Sequence, residues 1–190
     1  MSGSRLMTVI LACTVSFAVS CTKARMETSW ASQEEKIDKF INSLPQEEDP
    51  NNPDLLYVKD VIRNGGTNRV IMLDGEGEKL KKGGTVTFYY SGHIFNGNIS
   101  MSNMFATNNK HMADSAKWEL NEATYEAVTA TLNSKGGLVE GLRLGLEGVR
   151  AGEMCCILFS GKYGFGKKPF GIIPGNSALA YQIWVESVSN

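Results

Sequence analysis

Apolar positions change their spacing several times along the chain, and each change marks an element. After a short polar and basic start, Met1 to Arg5, residues 6–19 are almost unbroken apolar sequence. Further on, Ile37, Phe40, Ile41 and Leu44 fall at helical spacing, with Glu34 and Glu35 near the positive end, which predicts a helix over 32–44. A helix that short is marginal alone and must dock on something. Residues 22–31 read as a tether. Residues 45–54, with three prolines and four acids, read as an extended linker.

Beyond the linker the period shortens. Residues 55–62 are a first edge strand, followed by a turn at Asn64-Gly65-Gly66 and a strand over 69–73 that Asp74-Gly75-Glu76-Gly77 closes. Over 85–94, Val86, Phe88 and Tyr90 alternate with Thr85, Thr87 and Tyr89, the mark of a half-buried antiparallel strand. Residues 96–121 form a long polar stretch rich in Asn and Met, of the kind that is functional or mobile. Residues 122–128 fit helix or strand, and 129–133 fit a strand. Over 137–148, Leu138, Val139, Leu142 and Leu146 share a helical face with Val149. Gly141, Gly145 and Gly148 weaken such a helix by roughly 0.5–1 kcal/mol each, so their use is close approach of its backbone to a sheet. Residues 153–159 are a strand covered on both faces, 161–175 a Gly-rich loop, and 178–188 a last strand with Leu179, Tyr181, Ile183 and Val185 on one side. Four to six antiparallel strands around one short helix make an α+β fold with a curved sheet.

Composition narrows the classes. The 190 residues suffice for one domain with a leader and a tether, and the net charge of −1 without a basic block excludes a nucleic-acid partner. His93 and His111 are the only histidines and no ligand-spaced cluster exists, so no metal is expected. Cys155 and Cys156 are neighbours in a strand, point to opposite faces and stay separate thiols. Basic start, short apolar run and small exit residues Ala18-Val19-Ser20 read as a secretory leader over 1–20, the alternative being a buried N-terminal helix. Ala18-Val19-Ser20-Cys21 also resembles the lipobox of bacterial lipoproteins. That resemblance implies cleavage before Cys21, lipidation of its thiol and a membrane anchor, the alternative being ordinary cleavage with a free Cys21. No Asp follows Cys21, which favours the outer membrane facing the periplasm. The organisation expected is leader 1–20, anchored tether with helix and linker 21–54, and folded domain 55–190.

Three blocks in order resemble the FKBP family of peptidyl-prolyl cis/trans isomerases: Gly84-Thr-Val-Thr-Phe-Tyr-Tyr-Ser-Gly92, the Gly-punctuated run Leu138 to Gly152, and Lys162-Tyr-Gly-Phe-Gly166 with Gly171-Ile-Ile-Pro174 and Ala178-Leu-Ala-Tyr181. The resemblance covers the chain from about Tyr57 to its end. It implies a half-barrel sheet wrapped around the short helix, and an aromatic pocket that binds proline-containing segments and uses no cofactor. The residues it points to are Tyr90, Phe105, Val139, Phe165 and Ile173 for catalysis, with Leu138, Leu142, Ile172 and Tyr181 as further substrate contacts. The Val139 backbone N–H would meet the substrate carbonyl.

Three positions depart from the family: Ala106 stands where an aspartate is usual, Phe165 lacks a hydroxyl, and Leu142 replaces a large aromatic floor. Thr129 is nearest by spacing to a further pocket phenylalanine. Trp118 and Tyr125, in a longer loop, are candidates to refill or cover the pocket. The expectation is a weak isomerase assisting exported proteins. Its alternatives are a non-catalytic holder of proline-containing segments and a spacer whose pocket is filled by Phe170 or Trp118. A three-turn N-terminal helix favours a monomer.

Overall fold

Strand alternation sends neighbouring side chains to two faces, and here both faces are covered by helices. The computed structural model describes residues 3–51, 56–119, 122–133 and 137–190, with backbone alone for 3–22 and 122–123. One antiparallel sheet contains β1 (Asp60–Asn64), β2 (Thr67–Leu73), β3 (Thr85–Ile94), β4 (Met104–Thr107), β5 (Val128–Thr131), β6 (Met154–Phe159) and β7 (Leu179–Ser189). Its order is β1-β2-β6-β7-β3-β4, and β5 also pairs with β3. The helices are α1 (Gly3–Ser43), α2 (Lys110–Ser115) and α3 (Glu140–Leu146).

On one face α3 presses Leu142 and Leu146 against Phe88, Ile157, Phe159, Leu179 and Ile183. Gly141 and Gly145 act as the sequence suggested, whereas Gly148 lies beyond the helix at a positive φ of 85° with only Arg69 Nη2 near a Cβ, at 3.7 Å. A Cβ on Gly141 would stand 2.2 Å from Phe159 Cγ, and one on Gly145 2.3 Å from Ile157 Cγ2. The end of α3 is held by Arg69, a buried guanidinium that donates to the Gly145 and Glu147 carbonyls, both at 2.9 Å, and pairs with Glu153 at 3.2 Å. It thereby satisfies carbonyls that a helix end leaves free. Burial pushes the Glu153 carboxyl up, against the pull of Arg69. On the opposite face Ile37 and Ile41 of α1 pack on Val70, Met72, Cys156, Leu158, Ala178 and Ala180. Cys155 and Cys156 are buried free thiols on opposite faces, as expected.

β4 and β5 share one edge of β3. β4 lies opposite Ser91–His93 and β5 opposite Thr85–Phe88. Between them the Asn108 side chain stands in for a strand: it accepts from Tyr90 N at 2.6 Å and donates to Glu126 O at 2.9 Å. The ladder is thus continued across the excursion that carries α2.

Several boundaries differ from the sequence reading. The N-terminal helix is not confined to 32–44; α1 spans 41 residues, so 22–31 is helical. That segment lacks apolar periodicity but also lacks Gly and Pro, and Lys23 and Glu27 sit one turn apart. The length removes the ground on which a monomer was expected. The first strand runs from Asp60 to Asn64 rather than over 55–62. Leu56 and Val58 are apolar because they cover the α1-side core. Leu55, 52–54 of the linker, and the Cys21 side chain lie outside the described residues.

Candidate active site

The elements leave one aromatic hollow, of about 510 Å³, bounded by β3, β4, β5, the start of α3 and the loop between β6 and β7. All nine residues singled out from the sequence line it. Tyr90 comes from β3, Phe105 from β4, Tyr181 from β7, Leu138, Val139 and Leu142 from the α3 region, and Phe165, Ile172 and Ile173 from the loop.

Each wall has a local cause. Phe105 lies across Gly92, where a Cβ would come within 2.6 Å of its Cζ, so only glycine lets the ring settle against Tyr181. The Phe105 ring meets Tyr181 edge-on at 5.8 Å and Phe165 edge-on at 6.4 Å. Tyr90 is tilted to Tyr181 at 6.2 Å, and Phe159 stacks behind Tyr181 at 6.0 Å. In the loop, Phe170 N donates to Ile173 O at 2.9 Å and Ile173 N to Phe170 O at 3.0 Å. This tight turn points the two isoleucines apart: Ile173 is buried at 4% exposure, whereas Ile172 is 71% exposed and forms a lip. Val139 is the N-cap of α3 with extended backbone, and its N–H takes no partner among the described residues.

The hollow is not plugged by the candidates named from sequence. Trp118 and Tyr125 do not line it. Phe170 does, but stacks flat on Phe165 at 4.7 Å and remains 61% exposed, so it extends the rim. Ala106 and Thr129 line the wall at the positions where the departures fell. The sequence reading missed Phe88, Val128, Ala130, Gly137 and Gly171 as wall residues. Phe88 had a usable signal, since it stands two places before Tyr90 on the same strand face.

Tyr90 and Tyr181 are the only titratable side chains among the described lining residues. Burial pushes both phenols up, Tyr181 further, with Tyr90 adding to it, so both remain neutral donors at ordinary pH. An apolar wall with two phenols and a backbone N–H that has no partner among the described residues suits a neutral, conformational task more than proton or group transfer.

The comparisons with known proteins agree with this geometry. A family model described as FKBP-type peptidyl-prolyl cis-trans isomerase matches residues 76–186. No curated protein matches the chain significantly. Among solved structures, FkpA from Escherichia coli is similar over 100% of this chain and 74% of its own, with TM-score 0.54 and 20% identity. The N-terminal domain of FKBP42 from Arabidopsis thaliana is similar over 69% of this chain and 93% of its own, with TM-score 0.52 and 16% identity. A multi-domain immunophilin from the same plant covers 71% of this chain and 48% of its own, with TM-score 0.54 and 16% identity. These likenesses describe the fold; the family match, over more than half the chain, settles membership. The chain belongs to the FKBP-type peptidyl-prolyl cis-trans isomerase family.

Proposed function

We propose that the protein is a peptidyl-prolyl cis/trans isomerase for exported polypeptides, slower than members that keep the acid and the hydroxyl. The observation that carries this reading is the convergence of the nine residues on one open apolar hollow. Rotation of an X-Pro bond faces a barrier of about 18–20 kcal/mol because amide resonance must be broken. Water stabilises the planar, dipolar amide. A dry aromatic wall does not, and therefore holds the rotated form relatively better. The Val139 N–H takes the carbonyl of the bound segment, Tyr90 and Tyr181 grip the proline ring, and Ile172 holds the flanking chain at the lip. No cofactor or metal enters this chemistry.

Ala106 and Phe165 favour a second reading, a holder that binds proline-containing segments without turning them over. A carboxylate and a hydroxyl are missing from the wall, and each hydrogen bond of that kind contributes about 0.5–1.5 kcal/mol. On the first reading the two losses together slow the rate about ten- to a hundredfold, and on the second they end turnover while leaving binding. Export and anchoring belong to the same proposal: leader removal, lipid on Cys21, and a position at the outer membrane facing the periplasm.

A protease-coupled assay with proline peptides separates the two readings. First-order acceleration that Phe105→Ala or Tyr90→Ala abolishes supports catalysis. A rate equal to the blank, with saturable peptide binding, overturns catalysis and leaves the holder. Mass spectrometry of the membrane fraction, with Cys21→Ala as control, tests the anchor.

A further inference from the structure

Helix α1 lies outside the residues that carry the family match, yet it reaches the loop that shapes the hollow. That loop leaves β6 after Phe159 and enters β7 at Leu179, and its two ends are pressed together. A Cβ on Gly161 would stand 2.0 Å from Asn176 O, and one on Gly175 2.0 Å from Lys167 O. One side chain of α1 bonds both sides of this neck. Gln33 Nε2 donates to Asn176 O at 2.8 Å, and Gln33 Oε1 accepts from Gly161 N at 2.8 Å. Next to it, Ser160 Oγ donates to Glu34 Oε1 at 3.1 Å. One turn further on, Ile37 is fully buried, which fixes the helix under the clamp.

The loop needs such a clamp. Gly161, Gly164, Gly166, Gly171 and Gly175 leave its backbone little stiffness of its own. Its internal ties are a short helical turn (Tyr163 N to Ser160 O at 3.0 Å, Gly164 N to Gly161 O at 3.3 Å), the Phe170–Ile173 pair, the bond from Asn176 N to Gly166 O at 2.7 Å and that from Ser177 Oγ to Pro174 O at 2.8 Å, none of which joins 160–161 directly to 176. Phe165 and Ile173, the two loop residues that face inward, sit within four residues of the neck on either side. A small opening at the neck therefore carries both away from Phe105 and Tyr181.

We propose that Gln33 is a positioning residue for the proline-binding hollow, and that it ties the shape of the hollow to the seating of α1. This rests on the reading of the hollow as the peptide site. The amide is well suited to the task because it presents a donor and an acceptor side by side, as a peptide group does. A shift of α1 along the sheet, imposed from its N-terminal portion, is transmitted through Gln33 to Phe165 and Ile173.

The test uses the full chain with Gln33→Met, which keeps length and helix propensity but removes both bonds. A second variant, Gln33→Glu, keeps the acceptor for Gly161 N and sets a carboxylate oxygen against the Asn176 carbonyl. Amide exchange at Gly161 and Ile173 in the Met variant is expected to quicken about tenfold or more, while sheet amides such as Cys156 and Ile183 keep their protection. Proline-peptide affinity is expected to fall about three- to tenfold, appearing in KM with kcat within about twofold, because a smaller fraction of molecules holds the binding shape. The Glu variant is expected to keep Gly161 protected, lose protection at Ile173 and weaken binding likewise. Unchanged exchange at Ile173 in both variants overturns the inference. So does faster exchange that reaches the sheet amides equally. Should the wild-type protein bind proline peptides without turning them over, exchange and affinity still decide the role of Gln33, and only the catalytic reading falls.

Discussion

The α3 side of the sheet carries Phe88, Phe159 and Tyr181, while the α1 side carries Cys156, Ala178 and Ala180. Each side also leaves a hollow. On the α3 side it is walled by rigid rings from four elements and, among the described lining residues, holds no titratable group but two phenols. On the α1 side a hollow of about 390 Å³ mixes the rings of Phe40, Tyr57 and Trp184 with four methionines, Met72, Met101, Met112 and Met154, and has His93 and His111 among them. Aromatic rings lose little freedom on burial and keep a fixed surface, whereas methionine adapts to whatever it touches. The same strands thus present a preorganised wall on one side and a compliant, pH-sensitive one on the other.

Ile157 and Leu158 are adjacent on β6 and fully buried on opposite faces, which makes them the sharpest probes of that contrast. Each change to alanine is expected to cost about 2–5 kcal/mol, read from urea unfolding midpoints. Only Ile157→Ala is expected to weaken peptide binding in the fraction that stays folded, because Ile157 is the seat of Gly145 and hence of α3. Equal loss of binding in Leu158→Ala would mean that the α1 side shapes the aromatic hollow as strongly as α3 does.

A smaller effect is expected from restoring a hydroxyl on the aromatic wall. Phe165→Tyr adds one donor at a ring already held edge-on to Phe105 and stacked on Phe170. A net gain of about 0.5–1.5 kcal/mol corresponds to a rate increase of at most about tenfold in kcat/KM. No gain would indicate that the ring itself, rather than a missing hydroxyl, sets the rate.

The sequence made some of this legible and hid the rest for identifiable reasons. β3 occupies the predicted 85–94 because alternation reports a half-buried strand directly. Helix α3 is shorter than 137–148: Leu138 and Val139 continue its apolar face because they line the hollow, so cavity wall and helix face share one periodicity. β4 escaped notice because Met104-Phe-Ala-Thr107 is a short edge strand without alternation. The β1–β2 hairpin was displaced because Leu56 and Val58 are apolar for packing reasons, although Gly65 and Gly66, both at positive φ, mark the turn. The pocket aromatics were legible through block order. Phe88 was legible only through its place on the strand face of Tyr90, and Val128 not at all, since one sequence does not distinguish a core side chain from the wall of a hollow.

Acid is expected to separate the two sides. His93 is buried against Ser91, Ser100 and Gln182, and burial holds its pKa below the ordinary value of 6.5, outweighing the opposite pull of the Ser100 carbonyl and Gln182. The unfolded chain therefore takes up the proton first as pH falls through about 6.5, and stability declines from there downwards, having been fully present above it. Urea midpoints should be lower at about pH 5.5 than at about pH 7.5, and His93→Gln should remove that part of the difference. Turnover per folded molecule should stay flat over the same range, because the phenols on the aromatic side are pushed up and titrate far above it. A turnover profile that follows His93 would couple the two hollows.

The smallest effect concerns how α1 is held. Asp38 of α1 pairs with Arg63 of β1 at 2.7 Å, but both side chains are about half exposed. Such a pair contributes about 0.2–1 kcal/mol at low salt, and ions within a Debye length of about 10 Å at 0.1 M screen it further. Asp38→Ala should therefore shift the unfolding midpoint slightly, and the shift should vanish near 1 M salt. Peptide affinity should not change, because the helix keeps Ile37 and Ile41 in the core and Gln33 at the loop neck. A salt-resistant loss on removing Asp38, accompanied by weaker peptide binding, would show that surface charge rather than apolar docking sets where α1 sits.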